Sequence, residues 1–185
     1  MELRVLDRGE CEEARQWRNN TMYALRTPYE LTWLQQDLFY KEVVCDRNAK
    51  SKYWGIWLPP AVPNDPLTPG IQYFPQLIGM CGLENIEWEN GIAEISIIID
   101  PKMRNKKYGE EAVKLLLEKG FNYMRLENIY GECYVNNEAV KFWAKIADQY
   151  DGKTTILPHR KYWNGSHWDS MYFNISKGGF TRCQK

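Results

Sequence analysis

The feature that most constrains the fold is an apolar run that leads through a cationic loop into a helix. The run ends in Ile97, Ile98 and Ile99, a continuous apolar segment typical of a strand covered on both faces. Residues 109–122 then carry apolar side chains at helical spacing. The loop between them is rich in lysine and arginine, and the free N–H groups of a helix N-terminus favour an anion. The sequence therefore predicts a strand, loop and helix that bind a phosphate.

The rest of the chain alternates short strands and helices. Period-two apolar patterns and turn signals predict seven strands, over residues 2–6, 52–58, 75–88, 91–100 and 128–135 and on either side of the turn Asn164-Gly165. Apolar residues at helical spacing and capping residues predict four helices, over residues 7–17, 27–47, 109–122 and 136–150. This order predicts an α/β (α+β) fold with about seven strands and about four helices.

A proline-rich stretch separates two of the predicted strands. Residues 59–70 contain five prolines in twelve positions, which excludes both a helix and a central strand. We interpret residues 59–74 as an extended insert loop rather than a domain boundary, because too little chain precedes them to form a separate core. The 185 residues, 44% of them apolar, are then expected to form one domain over 1–185.

The composition disfavours several classes of function. The 24 Lys and Arg residues are balanced by 24 Asp and Glu residues, so the basic excess of most nucleic-acid binders is missing. Five scattered cysteines without a C-x-x-C pair, and only two histidines, predict reduced thiols rather than a disulfide framework or a metal site. No apolar run approaches the length of a membrane span. We expect a cytoplasmic protein without a metal, nucleic-acid or membrane partner.

Three motifs in this order resemble the GNAT family of acetyl-CoA-dependent N-acetyltransferases over residues 2–176. They are "AEISIIIDPKMRNKKYGEEAVKLLL", "NNEAVKFW" and "RKYWNGSHWDSMYFNI", the last similar to the closing hairpin of the RimJ/RimL-type branch. The resemblance implies a GNAT fold: a mixed, mostly antiparallel sheet with splayed fourth and fifth strands and flanking helices. It also implies acetyl-CoA as cosubstrate, an amine as acceptor, and a monomer or homodimer.

The resemblance also implies a cofactor site. The family loop R-x-x-G-x-G/A corresponds here to six residues expected to hold the pyrophosphate: Arg104, Asn105, Lys106, Lys107, Tyr108 and Gly109. Lys107 stands where a glycine is usual, and a left-handed backbone there would cost about 1–2 kcal/mol. The backbone of residues 97–99 is expected to bind the pantetheine arm. Asn136 is expected either to contact that arm or to cap the following helix.

The catalytic predictions rest on an acidic strand residue and on one departure from the family. Burying the carboxylate of Glu94 in an apolar strand costs free energy unless the group is paired or has a function. The resemblance places a general base at this position. The alternatives are that Glu94 faces outward or orders the acceptor. Trp143 stands where relatives have a tyrosine that protonates the thiolate, and an indole has no proton to give. The thiolate then leaves unassisted or with help from Tyr134 or Tyr150, and Cys133 is disfavoured as a nucleophile.

The acceptor site is expected to be walled by the first two helices, the proline-rich insert and the last hairpin. Its candidate residues are Arg18, Arg26, Tyr29 and His159. This aromatic and cationic lining predicts an amine on a neutral or anionic body, a protein N-terminus or an amino-sugar nucleotide, ahead of spermidine. The alternative to an enzyme is a catalytically weak acyl-CoA-binding module that serves as a regulatory or interaction domain.

Overall fold

The structure is a computed structural model that describes residues 1–25, 29–60 and 74–184. Seven strands form one sheet in the order β1-β2-β3-β4-β5-β7-β6. The strands are β1 (Glu2–Arg4), β2 (Lys52–Leu58), β3 (Gln76–Glu87), β4 (Ile92–Ile99), β5 (Asn128–Tyr134), β6 (Lys153–Trp163) and β7 (Ser166–Ser176). All seven predicted strands are confirmed. Most of the predicted insert loop lies outside the described residues.

The sheet is mixed, and its one parallel pairing is short. Every neighbouring pair of strands is antiparallel except β4 and β5. The parallel register joins Ile92–Glu94 of β4 only to Asn128–Tyr130 of β5. Strand β4 continues along β3 as far as Ile99, so in the described chain β4 and β5 part after three residues. The predicted splay of the fourth and fifth strands is confirmed.

Five α-helices flank the sheet in the described residues: α1 (Arg8–Asn19), α2 (Trp33–Phe39), α3 (Tyr108–Glu118), α4 (Ala139–Gln149) and α5 (Lys177–Cys183). The predicted capping box at the start of α1 is confirmed, because Asp7 and Glu10 exchange side-chain and backbone hydrogen bonds. The C-terminal helix α5 was not expected. It places Phe180 in the core, where its ring packs against Phe121 and Tyr150.

The second helix differs most from its prediction. It begins at Trp33, after a capping box in which Thr32 and Gln35 satisfy the free N–H groups, and the predicted start at Pro28 lies outside the described residues. Its leucines were expected to be buried, but Leu34 and Leu38 are exposed. The buried residues are instead Gln36 and Asp37, which polar partners on α1 and in the π-helical segment Tyr40–Val44 after α2 hold inside.

The main core lies between one face of the sheet and α3, α4 and α5. Ala93 and Ile95 of β4 belong to it, together with the apolar stripe of α3. Because side chains alternate along a strand, Glu94 and Ser96 point to the opposite face, where α1 packs against β3 and β4. The two faces meet where β4 and β5 separate, and that gap positions the site.

Candidate active site

A cavity of about 600 Å³ opens where β4 and β5 diverge. Its wall includes β4 from Glu94 to the end of the strand, then the cationic loop and the first residues of α3. Ile99 is five residues beyond Glu94 along β4, so the two lie about 17 Å apart along the wall. The cavity is therefore long enough to bind a phosphate at one end and to place a reacting group at the other.

The cationic loop has the backbone of an anion site. Lys107 has φ 65° and is the N-cap of α3 without a side-chain capping bond, and Asn105 has φ 62°. Consecutive turns of this kind aim N–H groups to one side, beside the positive end of the helix. The expected left-handed conformation at Lys107 is present. Five of the six predicted loop residues line the cavity: Arg104, Asn105, Lys107, Tyr108 and Gly109.

The sixth loop residue, Lys106, is not among the lining residues, and its ammonium contacts Met103 Sδ at 3.8 Å. The first turn of α3 is acidic, but both carboxylates there have cationic partners. Glu110 accepts a bond from Lys145 Nζ at 2.6 Å, and Glu111 lies 3.3 Å from the N-terminal amine. These partners offset the negative charge that would otherwise oppose a phosphate.

Strand β4 presents its main chain along the cavity. Ile97, Ile98 and Ile99 all line it, while Ile97 and Ile99 also pack against the core. Past the three-residue parallel register, β5 does not pair with this part of β4 within the described chain. Backbone groups on that side of β4 are thus placed to meet an extended ligand that has amides of its own.

Glu94 is buried and faces the cavity, with 6% of its surface exposed. Asn85 donates a hydrogen bond from Nδ2 to Glu94 Oε2 at 3.3 Å. In the sheet, Glu94 lies opposite Glu84 on one side and Tyr130 on the other. Its position is therefore not that of an outward-facing strand residue, and it is compatible with proton transfer or with ordering of the acceptor.

Four further carboxylates line the same cavity, and none of them was predicted from the sequence as a site residue. Glu84 on β3 and Glu132 on β5 flank β4, whereas Glu110 lies in the first turn of α3 and Glu138 precedes α4. Glu132 accepts bonds from Arg160 Nε at 2.9 Å and from the Ser170 hydroxyl. A period-two pattern on β5 was the available signal, because side chains two apart share a face of the sheet.

Cys133 and Tyr134 lie at the end of β5, and Trp143 lies on α4. Tyr134 is 7% exposed and lines the cavity, as does Trp143, which stacks on Phe173 with ring centroids 4.8 Å apart. Cys133 also lines it, but burial raises the pKa of its thiol to about 11. A thiol with that pKa is almost entirely protonated at neutral pH, so it is a poor nucleophile.

The candidate acceptor residues are only partly brought together. Arg18 lines the cavity, whereas Tyr29 and His159 are exposed and are not among its lining residues. Arg26 lies outside the described residues. The wall beside Arg18 is instead formed by a short 3-10 turn, Met22–Ala24, and by Leu25.

The two asparagines before α4 have different positions. Asn137 lines the cavity, and its Oδ1 accepts from Ala139 N at 2.9 Å near the start of the helix. Asn136 is not among the lining residues, and its Oδ1 is buried without a hydrogen-bond partner. Asn137, and not Asn136, therefore satisfies a free N–H group at the start of α4.

Within residues 1–25, 29–60 and 74–184, no group of three or more His, Cys, Asp or Glu side chains could hold a metal ion. No helix in those same ranges is long and apolar enough to cross a membrane.

Comparisons with known proteins agree with this architecture. A family model described as an acetyltransferase (GNAT) domain matches residues 1–145. No curated protein matches the chain in sequence. Among solved structures, a mutant of the spermidine N-acetyltransferase SpeG from Vibrio cholerae is similar, with a TM-score of 0.76 at 20% identity and 100% of both chains covered. The Vibrio cholerae spermidine N-acetyltransferase in complex with CoA and spermine has a TM-score of 0.77 at 19% identity, with 97% of each chain covered.

Proposed function

Because the chain belongs to the GNAT acetyltransferase family, we propose that it moves an acetyl group from acetyl-CoA to a primary amine by direct attack in a ternary complex. Acetyl-CoA is the cosubstrate of this family, and one structural neighbour was solved with CoA. The observation that carries the proposal is the single cavity that runs from the loop before α3, along the diverging strands, to Glu94.

The cofactor would lie along β4 and end at the cationic loop. The helix N-terminus, the left-handed turns at Asn105 and Lys107 and the guanidinium of Arg104 suit a pyrophosphate. The backbone of residues 97–99 would pair with the amides of the pantetheine arm. This places the thioester toward the Glu94 end of the cavity.

Glu94 would act as the general base. An alkylammonium with a pKa near 10.4 has only about one molecule in two thousand neutral at pH 7, so a base must remove its proton. As the C–N bond forms and the C–S bond breaks, Glu94 would take the proton from nitrogen, directly or through a water. Tyr134 would protonate the departing thiolate, because the Trp143 indole has no proton to give.

The lining at the Glu94 end supports a cationic acceptor best. On the strands at this end, Glu84 and Glu94 line the cavity together with Glu132, whose carboxylate already pairs with Arg160, and Arg18 is the cation contributed by α1. Carboxylates match the ammonium charges of a polyamine as they lose water. The structural neighbours named above are spermidine N-acetyltransferases, which points the same way. We therefore place a di- or polyamine first.

The second candidate is the acceptor class expected from the sequence, a protein N-terminus or an amino-sugar nucleotide. Arg18 supports it, because a guanidinium in the wall could meet an anionic group. The closing hairpin of β6 and β7, which resembles the RimJ/RimL-type branch, supports it as well. Both acceptor classes are open to the same test.

Thiol release from acetyl-CoA should be measured with spermidine, N-terminal peptides and amino-sugar nucleotides. We expect turnover with an amine, fastest with spermidine. Faster turnover with a peptide or a sugar nucleotide would reverse our order of acceptors. Acetyl-CoA should also raise the melting temperature. A melting shift without thiol release from any amine would favour the alternative, a weak acyl-CoA-binding regulatory module.

A further inference from the structure

A buried lysine in the last hairpin lies directly behind the acceptor wall. Lys161 of β6 is only 6% exposed. It follows the irregular register between β6 and β7, where the pairing shifts after Leu157 and resumes at Lys161 opposite Trp168. Burying an ammonium costs free energy unless its hydrogen bonds are made, so the partners of Lys161 determine whether it can stay buried.

The ammonium of Lys161 holds the main chain of the 3-10 turn that lines the cavity. Its Nζ donates to Tyr23 O at 2.9 Å and to Leu25 O at 2.7 Å. The carbonyl between them, Ala24 O, accepts from Asn137 Nδ2 at 3.2 Å. Three successive carbonyls of this wall are thus fixed from outside the turn, two of them by Lys161.

The same ammonium also contacts the proposed proton donor. Lys161 Nζ lies 4.7 Å from the ring centroid of Tyr134 and 4.8 Å from that of Trp163. Cation–π contacts of this kind are strengthened when the cation is desolvated. Lys161 therefore joins the acceptor wall to the Tyr134 ring at one buried point. Burial also lowers the pKa of Lys161, in keeping with a desolvated site.

We propose that Lys161 is a positioning residue for the acceptor: it fixes the wall at Tyr23, Ala24 and Leu25 relative to Tyr134 and so sets the affinity for the amine. The proposal rests on the proposed function, because it assigns the wall to the acceptor rather than to acetyl-CoA. Lys161 is not among the lining residues, so it acts through the residues it contacts, the turn at Tyr23–Leu25 and the ring of Tyr134.

The test is Lys161→Met, which keeps much of the side-chain length and removes both hydrogen bonds. Loss of two charge-assisted bonds should raise the acceptor KM by about tenfold or more. The KM for acetyl-CoA should stay within about twofold, because Lys161 bonds to this turn and not to the proposed phosphate loop. A general loss of structure would instead change both KM values, or abolish the melting shift with acetyl-CoA.

The matched control is Lys52→Met. Lys52 also holds two loop carbonyls through Nζ, Asp46 O at 3.1 Å and Arg47 O at 2.8 Å, but these do not line the cavity. Its loss should leave the acceptor KM unchanged. Glutamine is shorter than lysine but keeps one amide donor group, so Lys161→Gln should give an intermediate acceptor KM. It replaces Lys161→Met in the test if the methionine variant does not fold.

Hydrogen exchange of residues 21–25 gives a readout that needs no turnover. Exchange there should accelerate in the Lys161 variants and not in Lys52→Met. If the wild type acetylates no amine, the proposed function fails. Unchanged hydrogen exchange over residues 21–25 in Lys161→Met would then also overturn the proposal that Lys161 fixes this turn. If the wild type turns over and Lys161→Met keeps its acceptor KM, only the positioning role is overturned.

Discussion

Replacement of Lys107 by glycine should stabilise the protein while it weakens acetyl-CoA binding. Lys107 has φ 65° and ψ 2°, a left-handed conformation that costs about 1–2 kcal/mol for a residue with a Cβ atom. Glycine removes that strain but loses about 0.5–1 kcal/mol in chain entropy. The net gain in the free energy of unfolding should be about 0.5–1 kcal/mol.

The expected change in melting temperature follows from the chain length. An unfolding entropy of about 2.1 cal/mol/K per residue gives about 0.4 kcal/mol/K for 185 residues. The melting temperature of Lys107→Gly should therefore rise by roughly 1–3 °C in the absence of ligand. The lost ammonium is exposed, so its contact with a phosphate contributes about 0.2–1 kcal/mol. The Kd for acetyl-CoA should increase by no more than about fivefold.

Two variants separate the strain from the charge. Lys107→Gln removes the ammonium but keeps a Cβ atom, so it should weaken binding without raising the melting temperature. Lys106→Gly removes the neighbouring charge where the backbone is not left-handed, so it should lower the melting temperature and leave binding nearly unchanged. Calorimetry with and without acetyl-CoA measures both quantities. A fall in melting temperature for Lys107→Gly, like that of Lys106→Gly, would refute the strain argument.

The remaining predictions concern the chemistry at the other end of the cavity. Glu94→Gln should keep acetyl-CoA binding and lower kcat about a hundredfold at neutral pH; equal turnover from pH 6 to 9 would place the base elsewhere. Tyr134→Phe should lower kcat about tenfold with a smaller change in KM, and an unchanged kcat would mean that the thiolate leaves unassisted. Cys133→Ala should keep full turnover, because the thiol pKa is raised to about 11. Alkylation of Cys133, followed by mass spectrometry, should accelerate about tenfold per pH unit below that pKa, and a plateau near neutral pH would contradict the raised pKa.

Local patterns predicted the framework of this fold. The capping box at Asp7 and Glu10 depends only on neighbours in the chain, and the stripe of α3 depends only on spacing. The face of α2 depends on distant partners. Asp37 is buried because Lys41 and Arg8 pair with its carboxylate and hold its pKa below the usual range. Hydropathy alone would predict that Leu34, rather than Asp37, is buried.

The site divides in the same way. The loop before α3 is contiguous, so its cations and its unusual Lys107 are visible in one stretch of sequence. The proposed acceptor end is assembled from β3, β5 and the turn after α1, which meet only in the folded chain. Glu84, Glu132 and Lys161 could not be connected before the register of the sheet was known.

The short pairing of β4 with β5 has a consequence for how the site can vary. An N–H or C=O group on the open side of β4 belongs to the main chain, so almost any point substitution leaves it in place; proline alone deletes a donor. Ligand binding that relies on main-chain groups is therefore little affected by side-chain substitutions. The side chains of Ile97, Ile98 and Ile99 can then change to suit the packing of the core. The fold itself is kept while most of the sequence differs, as the 19–21% identities to structural neighbours with TM-scores of 0.76–0.77 show.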